Sequence, residues 1–199
     1  MFYKMIEKKR NKWYDSEECT VMPLIQYMIE KGQMRDAQIE AIKTYLFLKI
    51  CCGCQPIVTL FKSGFFNSLD LNEAEISNTT REYLTSHPAA AALYEYATSV
   101  NSYGDKVSEM LEEQIKSNPE QIDYNDVFNK LFYGVTYTDY LFSLPMGAGK
   151  TYLMAAFIYL DLYFALNEPS NPIFAHNFLI FAPSGLKSSI VPSLKTIQR

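Results

Sequence analysis

Glycine is scarce in this chain, which has eight glycines and a single tryptophan in 199 residues. No stretch is of low complexity and no unit of 20–50 residues repeats, so fibrous, collagen-like and solenoid architectures are excluded. No second metal ligand or catalytic-triad partner can be recognised in the sequence for either histidine, His87 or His176, and we interpret both as structural or exposed. With 48% hydrophobic and 20% charged residues, the chain can bury a core of ordinary size.

Long apolar segments are also missing. The longest apolar run, residues 152–166, contains Asp161 and is shorter than the roughly 20 residues that a membrane-spanning helix needs. The polar, basic N-terminus has no apolar stretch behind it, which argues against a secretory signal. Cys51, Cys52 and Cys54 are too closely spaced for the paired C-x-x-C ligands of a zinc site. We therefore expect a cytoplasmic protein with reduced cysteines and no membrane association.

Acidic residues are concentrated in the middle of the chain. The net charge of −4 is incompatible with a uniformly basic nucleic-acid-binding surface. Residues 62–139 carry 13 acidic and five basic side chains, whereas residues 1–61 and 140–199 each have an excess of two basic side chains. Together with the helix pattern, this distribution predicts three parts: an N-terminal helical region at 1–62, an acidic helical insertion at 63–134, and the start of a different domain at 135–199.

The spacing of apolar residues predicts helices over the first two parts. The clearest covers residues 35–50, where Ile39, Ile42, Leu46 and Ile50 recur at helical intervals. A shorter helix is expected before it, at 21–30. Within the acidic insertion we expect four helices, at 71–84, 86–100, 105–117 and 124–133, the last closed by Gly134.

The character of the sequence changes at residue 135. Residues 135–144 are rich in β-branched and aromatic side chains, which is typical of a strand, and residues 177–182 are a short apolar stretch that ends before Pro183 and is also expected to be a strand. An apolar helix is expected between them, at 150–166. Strand, loop, helix and strand in this order predict an α/β fold with a parallel sheet, into which the acidic helices are inserted.

A glycine-bearing segment joins the first of these predicted strands to the helix. Two glycines allow the backbone to curl so that N–H groups point at phosphate oxygens, and the helix that follows adds the positive end of its dipole. The lysine can reach the β- and γ-phosphates of ATP, and the threonine hydroxyl can bind Mg²⁺. The segment departs from the G-x-x-x-x-G-K-[ST] pattern because Leu144 replaces its first glycine. The predicted ATP- and Mg²⁺-binding residues are Pro145, Met146, Gly147, Ala148, Gly149, Lys150 and Thr151.

The string Leu-Pro-Met-Gly-Ala-Gly-Lys-Thr resembles motif I of superfamily two DEAD/DEAH-type helicases and translocases. It is most similar to the helicase subunits of type III restriction enzymes and to UvrB-like helicases. The segment at 34–42 is similar to the adenine-recognition motif of the same family, and the resemblance implies that Gln38 reads the base while Arg35 helps to position it. A glutamine amide has the donor and acceptor that the adenine edge requires. The likeness covers 21–50 and 135–199 and implies a partial RecA-like P-loop NTPase domain.

The same resemblance implies a nucleic-acid contact after the second predicted strand. Ser184, Gly185 and Lys187 match the positions at which these helicases hold phosphates of the DNA strand that they follow, a contact that fixes position without reading sequence. The acidic insertion separates Gln38 from Lys150 by far more residues than is usual in the family. Because its charge repels a phosphate backbone, we interpret the insertion as a protein-contacting segment.

Hydrolysis of ATP needs more than this loop. It requires an acidic residue on Mg²⁺ and an arginine for the transition-state charge, and in this family these come from a D-E-x-H-type motif and from a second domain. No such motif follows Pro183. We therefore expect the chain to be the ATP-binding N-terminal segment of a longer ATP-dependent DNA helicase or translocase, related to restriction–modification and inactive by itself. The alternatives are another P-loop NTPase, such as a kinase or ATPase, and a truncated, non-catalytic interaction fragment.

Overall fold

The computed structural model describes residues 2–32, 34–135, 137–181, 188, 190–192 and 195. Helices dominate this part of the chain. Seven of them correspond to the predicted helices, with bounds that agree to within a few residues at most ends, whereas the helices at Phe2–Tyr14 and Ile57–Lys62 were not predicted. In chain order they are α1 (Phe2–Tyr14), α2 (Met22–Gly32), α3 (Asp36–Leu46), α4 (Ile57–Lys62), α5 (Asn78–Ser86), α6 (Pro88–Thr98), α7 (Glu109–Ser117), α8 (Tyr124–Leu131) and α9 (Lys150–Asn167). A π-helical turn, Phe47–Cys51, extends α3, and a 3₁₀ turn, Pro119–Gln121, precedes α8.

The predicted α/β fold with a parallel, RecA-like sheet is wrong for the described residues, which contain no strand. Residues 137–144 and 177–181, expected to be strands, have irregular backbone. A β-prone stretch forms a strand only when a neighbour supplies the ladder of backbone hydrogen bonds. The described part of the chain offers these two stretches no such ladder, and its one bridge, between Val100 and Lys106, is antiparallel and isolated.

The helix predicted at 71–84 begins seven residues later than expected. Ser77 is the N-cap of α5, and its hydroxyl oxygen accepts the Thr80 N–H at 3.1 Å. Before it, the Asp70 carboxylate accepts the Asn72 N–H at 2.9 Å and holds a turn. The Ser77 cap satisfies the Thr80 N–H, which a helix starting at residue 71 would bond internally, and the Asp70 turn holds the chain before it, so the helix begins after Ser77.

The chain divides into two compact units. The helical unit consists of Met1–Lys12 and Gln55–Asp139, and the loop unit consists of Trp13–Cys54 and Tyr140–Arg199. The predicted acidic insertion, 63–134, lies inside the helical unit, which also takes in the first 12 residues and 55–62.

The helical unit is built around α6, which packs against α4, α5, α7 and α8. Three alanines on α6 are fully buried, and their small side chains let the neighbouring helices approach closely. Large apolar side chains fill the space between the helices: Phe61, Phe66, Leu84, Leu93, Ile115 and Phe128 are all buried. Phe2 of α1 stacks on Tyr96 with ring centroids 4.2 Å apart, and it also contacts Phe61 and Phe132.

One buried carboxylate stabilises the helical unit. Glu112 on α7 forms ion pairs with Lys106 and with Lys116, each at 2.7 Å. Burial disfavours the charged carboxylate, but the hydrogen bonds from the two lysines outweigh this cost, so the pKa of Glu112 lies below its ordinary value. The ion pair with Lys106 ties the bridged turn before α7 to that helix.

In the loop unit α3 packs against both α2 and α9. Ile25, Ile42, Leu46 and Leu153 are among the residues that form its core. Helix α9 is apolar along most of its length, yet no helix in the described residues is long and apolar enough to cross a membrane. The N-terminus of α9 follows directly from the glycine-bearing segment, so the fold of this unit fixes where that segment lies.

Candidate functional site

The segment 145–151, called the glycine loop below, forms a tight turn that leads into α9. Gly147 and Gly149 have φ angles of 78° and 76°, the left-handed region in which glycine is strongly favoured. The Ala148 N–H donates to the Pro145 carbonyl at 3.3 Å and closes the turn. Gly149 is the N-cap of α9, and its carbonyl accepts the Leu153 N–H at 3.0 Å. The two glycines therefore occupy positions at which the backbone requires them.

The groups that a phosphate would need are accessible at this turn. Lys150 is the first residue of α9 and is exposed, and Thr151 follows it half-buried. Within the described residues neither side chain has a hydrogen bond or ion pair, and the Lys150 and Thr151 N–H groups make no backbone hydrogen bond. Unpaired N–H groups at the start of a helix, next to a lysine, form an arrangement that suits an anion.

Two residues from the start of α3 contact this turn across more than a hundred positions of sequence. The Arg35 guanidinium donates a hydrogen bond to the Gly147 carbonyl. The Gln38 side-chain amide donates to the Gly149 carbonyl at 3.2 Å. The structure thus brings together the two segments in which the sequence predicts adenine and phosphate binding, Arg35 with Gln38 on one side and the glycine loop on the other.

The Gln38 contact orients the peptide at the start of α9. In a trans peptide the C=O of one residue and the N–H of the next point in opposite directions. Because the Gly149 carbonyl is held by Gln38 and by the Leu153 N–H, the Lys150 N–H is directed away from both, out of the helix end. A β-carbon at position 149 would lie 2.5 Å from Gln38 Nε2, so only glycine permits this approach.

Gln38 is less available to a base than the sequence interpretation assumed. The side chain is 4% exposed, and its Oε1 accepts the Arg35 N–H at 2.9 Å. With Nε2 donating to Gly149, one N–H and one lone pair of the amide remain. In this structure Gln38 is first of all a support for the glycine loop, and adenine reading by Gln38 stays a prediction.

Residues for a metal ion are few. No group of three or more His, Cys, Asp or Glu side chains suited to a metal occurs among the residues that the structure describes. The Thr151 hydroxyl is compatible with a Mg²⁺ carried in by a nucleotide, because it stands at the lysine end of the loop and has no partner among the described residues. Such an ion would take its other ligands from phosphate oxygens and water.

A buried polar cluster in the loop unit was not predicted from the sequence. The Asp161 carboxylate on α9 is 2% exposed, and it accepts hydrogen bonds from the Lys49 ammonium at 3.1 Å and the Tyr45 hydroxyl at 2.7 Å. It also accepts the Ala175 N–H, and Lys49 donates to the Ile173 carbonyl. Burial and the hydrogen bond to Asp161 raise the pKa of the Tyr45 hydroxyl.

The single charge inside the apolar helix was the one available signal for this cluster. Asp161 interrupts a run of apolar residues, and a buried carboxylate requires partners. Those partners come from different parts of the chain: Tyr45 from the last turn of α3, Lys49 from the π-helical turn after it, and the Ala175 N–H from the segment after α9. Periodicity alone does not bring these positions together. The predicted DNA-contacting residues Ser184, Gly185 and Lys187 lie outside the described residues.

Comparisons of this chain with protein-family models, with curated proteins and with solved structures give no match.

Proposed function

We propose that the glycine loop binds the phosphates of ATP with Mg²⁺, and that Lys150 and Thr151 are its principal contacts. The lysine would neutralise charge on the β- and γ-phosphates, and the threonine hydroxyl would bind the metal ion. Pro145, Met146 and Ala148 would contribute backbone rather than side chains to the loop. The proposal carries with it a cytoplasmic location, where ATP is abundant.

The observation that carries the proposal is the contact between the start of α3 and the glycine loop. Two sequence motifs, recognised independently and far apart, lie against each other through the Arg35 and Gln38 hydrogen bonds. Both side chains that hold the carbonyls of the glycine loop come from the segment that resembles an adenine-recognition motif. The juxtaposition supports a nucleotide rather than a simple anion.

Substitution of the loop lysine tests this. We expect the 199-residue chain to bind ATP–Mg²⁺ in calorimetric titrations and Lys150→Ala to weaken binding by at least tenfold, because one charge-assisted contact contributes about 1.5–3 kcal/mol. Lys43→Ala is the matched control, since that lysine lies on α3 and pairs with Glu40 at 3.3 Å. Equal affinity in wild type and Lys150→Ala would refute the site.

The larger function that we propose is that of the ATP-binding segment of an ATP-dependent DNA helicase or translocase, related to restriction enzymes. The likeness of the glycine loop and of the segment at 34–42 to the helicase motifs supports it. No D-E-x-H-type motif occurs after residue 183, so we expect no ATP turnover from these 199 residues. A phosphate-release assay with and without DNA tests this, and sustained turnover would contradict it.

Base preference distinguishes this proposal from another P-loop NTPase. If Gln38 contributes to adenine recognition, the chain should bind ATP more tightly than GTP, and Gln38→Ala should abolish that preference. Titrations with both nucleotides measure the ratio directly. Equal affinities for ATP and GTP in the wild type would favour a kinase or ATPase of a different class.

We also propose that the helical unit contacts a protein partner. Its acidic stretch exposes large side chains, with Tyr103, Met110 and Tyr133 each more than two-thirds exposed. Large exposed aromatic and methionine side chains are enriched in protein interfaces, and the negative charge disfavours nucleic acid. Cross-linking in extracts with Tyr103→Ala and Tyr133→Ala as variants tests this; a partner captured equally by wild type and both variants would contradict it.

A further inference from the structure

The sequence interpretation makes Arg35 a residue that positions the adenine base. The geometry points to a different ligand group for it. The Arg35 guanidinium donates to the carbonyl of Gly147, which lies near the centre of the glycine loop. In a bound nucleotide the base is separated from the β- and γ-phosphates by the ribose and the α-phosphate, so a side chain anchored at the centre of the loop lies on the phosphate side.

We propose that Arg35 is a second phosphate-binding cation of this site, which contacts the polyphosphate chain together with Lys150. This inference rests on the proposed function of the glycine loop. It assigns to Arg35 a role in recognising the polyphosphate chain and removes it from recognition of the base.

The charge environment of Arg35 supports this role. Arg35 is exposed, and within the described part of the chain it forms no ion pair with a carboxylate. Its neighbour Asp36 is exposed in the first turn of α3, and Glu40 on the same helix is paired with Lys43. Two cations without carboxylate partners, Arg35 and Lys150, therefore border one short turn. Such a pair repels itself unless an anion lies between or beside the two charges.

The geometry of the guanidinium group leaves donors for an anion. A guanidinium has five N–H donors in a planar fork, which matches the oxygens of a phosphate. The hydrogen bond to Gly147 uses one of the terminal nitrogens, and no other Arg35 side-chain hydrogen bond is made among the described residues. The bond to the carbonyl holds the group beside the loop, and the remaining donors can contact a phosphate oxygen.

Inorganic tripolyphosphate separates the two roles, because it has the phosphates of ATP and no base. We expect Arg35→Ala to weaken the binding of tripolyphosphate–Mg²⁺ and of ATP–Mg²⁺ by the same factor, about tenfold, and to leave the ratio of ATP to GTP affinity unchanged. Arg35→Lys should recover part of the loss, since a point charge remains without the planar fork. Lys43→Ala removes the same charge from the same helix and should bind both ligands as the wild type does.

The outcomes are distinct. Normal tripolyphosphate binding by Arg35→Ala, with ATP affinity or base preference lost, would make Arg35 a base-positioning residue and overturn the inference. Equal losses of binding affinity in Arg35→Ala and Lys43→Ala would show that only the net charge of the protein matters, and would overturn the inference as well. If wild type and Lys150→Ala bind tripolyphosphate and ATP alike, the proposed function itself fails and the role of Arg35 fails with it. Circular dichroism of each variant confirms that the helices are retained.

Discussion

The helical unit and the loop unit bury their interiors in different ways. The helical unit surrounds the alanines of α6 with aromatic side chains, and its main buried carboxylate, Glu112, reaches lysines that are partly exposed. The loop unit buries a carboxylate and an ammonium group together, Asp161 with Lys49, inside the helix pair that carries the glycine loop. The stability of the helical unit therefore depends on close packing of apolar side chains, and that of the loop unit depends also on the pairing of buried polar groups.

The largest expected effect comes from breaking the ion pair in the loop unit. Asp161→Ala leaves the Lys49 ammonium buried without its carboxylate and should destabilise the loop unit by about 3–5 kcal/mol. The double variant Lys49→Met with Asp161→Leu removes both charges and should be considerably more stable than the single variant. Denaturant unfolding of both variants measures this, and a double variant that is less stable than Asp161→Ala would contradict our account of the cluster.

Removal of an aromatic side chain from the helical unit should have a similar or slightly smaller effect. Phe128 is fully buried, so Phe128→Ala should lower the free energy of unfolding by about 3–5 kcal/mol, reduced where neighbouring side chains relax into the cavity. Tyr103→Ala, at an exposed position in the same unit, is the control and should change stability by less than about 0.5 kcal/mol. If the contrast between the two units holds, the stability lost in Phe128→Ala cannot be recovered by removing a charged residue, whereas the stability lost in Asp161→Ala can.

A smaller effect is expected at the glycine loop. Gly149→Ala places a methyl group at a left-handed φ and against Gln38 Nε2, and should cost about 1–2 kcal/mol in stability, with weaker ATP binding. Combining Gly149→Ala with Gln38→Ala should remove the steric contribution to this loss of stability and leave the contribution from the left-handed backbone. A double-mutant cycle of unfolding free energies shows the coupling, and strict additivity of the two changes would contradict a direct contact.

The smallest effect concerns pH and the helical unit. Since the folded-state pKa of Glu112 is below its ordinary value, the carboxylate stabilises the folded state above the unfolded pKa, and this contribution is lost as the pH falls through the folded pKa. The thermal midpoint of wild type should therefore fall on acidification below about pH 4.3, and by less in Glu112→Gln. Equal acid sensitivity in the two proteins would show that other carboxylates dominate.

Much of the helical structure could be predicted because the signals are local. The recurrence of Ile39, Ile42 and Leu46 marks one face of α3, and Pro88 with the alanines after it marks the start of α6. Helix starts were less accurate, as the Ser77 cap shows, because a single side-chain hydrogen bond decides them. The irregular backbone of residues 137–144 and 177–181 could not be predicted. Both stretches have the composition of strands, but no neighbouring strand among the described residues supplies the backbone hydrogen bonds that a strand requires.

The candidate site was predicted in part. The glycine loop and the segment at 34–42 could be identified from their residue types, because left-handed backbone, phosphate charge and amide chemistry each demand a specific side chain. Their contact could not be predicted from spacing, since 85 residues of the helical unit lie between the two stretches of the loop unit. The order of contacts, Arg35 on Gly147 and Gln38 on Gly149, emerges only when α3 packs beside α9.

By itself the sequence determined most of the helices, the glycines that only a left-handed turn accommodates, and the presence of a charge within an apolar helix. The tertiary structure alone decided which groups meet that charge, which carbonyls Arg35 and Gln38 hold, and that residues 137–144 and 177–181 find no strand partner in the described part of the chain. The physical reason is one of range. Dihedral preference and amphipathic spacing act within a few residues, whereas ion pairing, burial and ladder formation depend on partners that the packing of distant segments supplies.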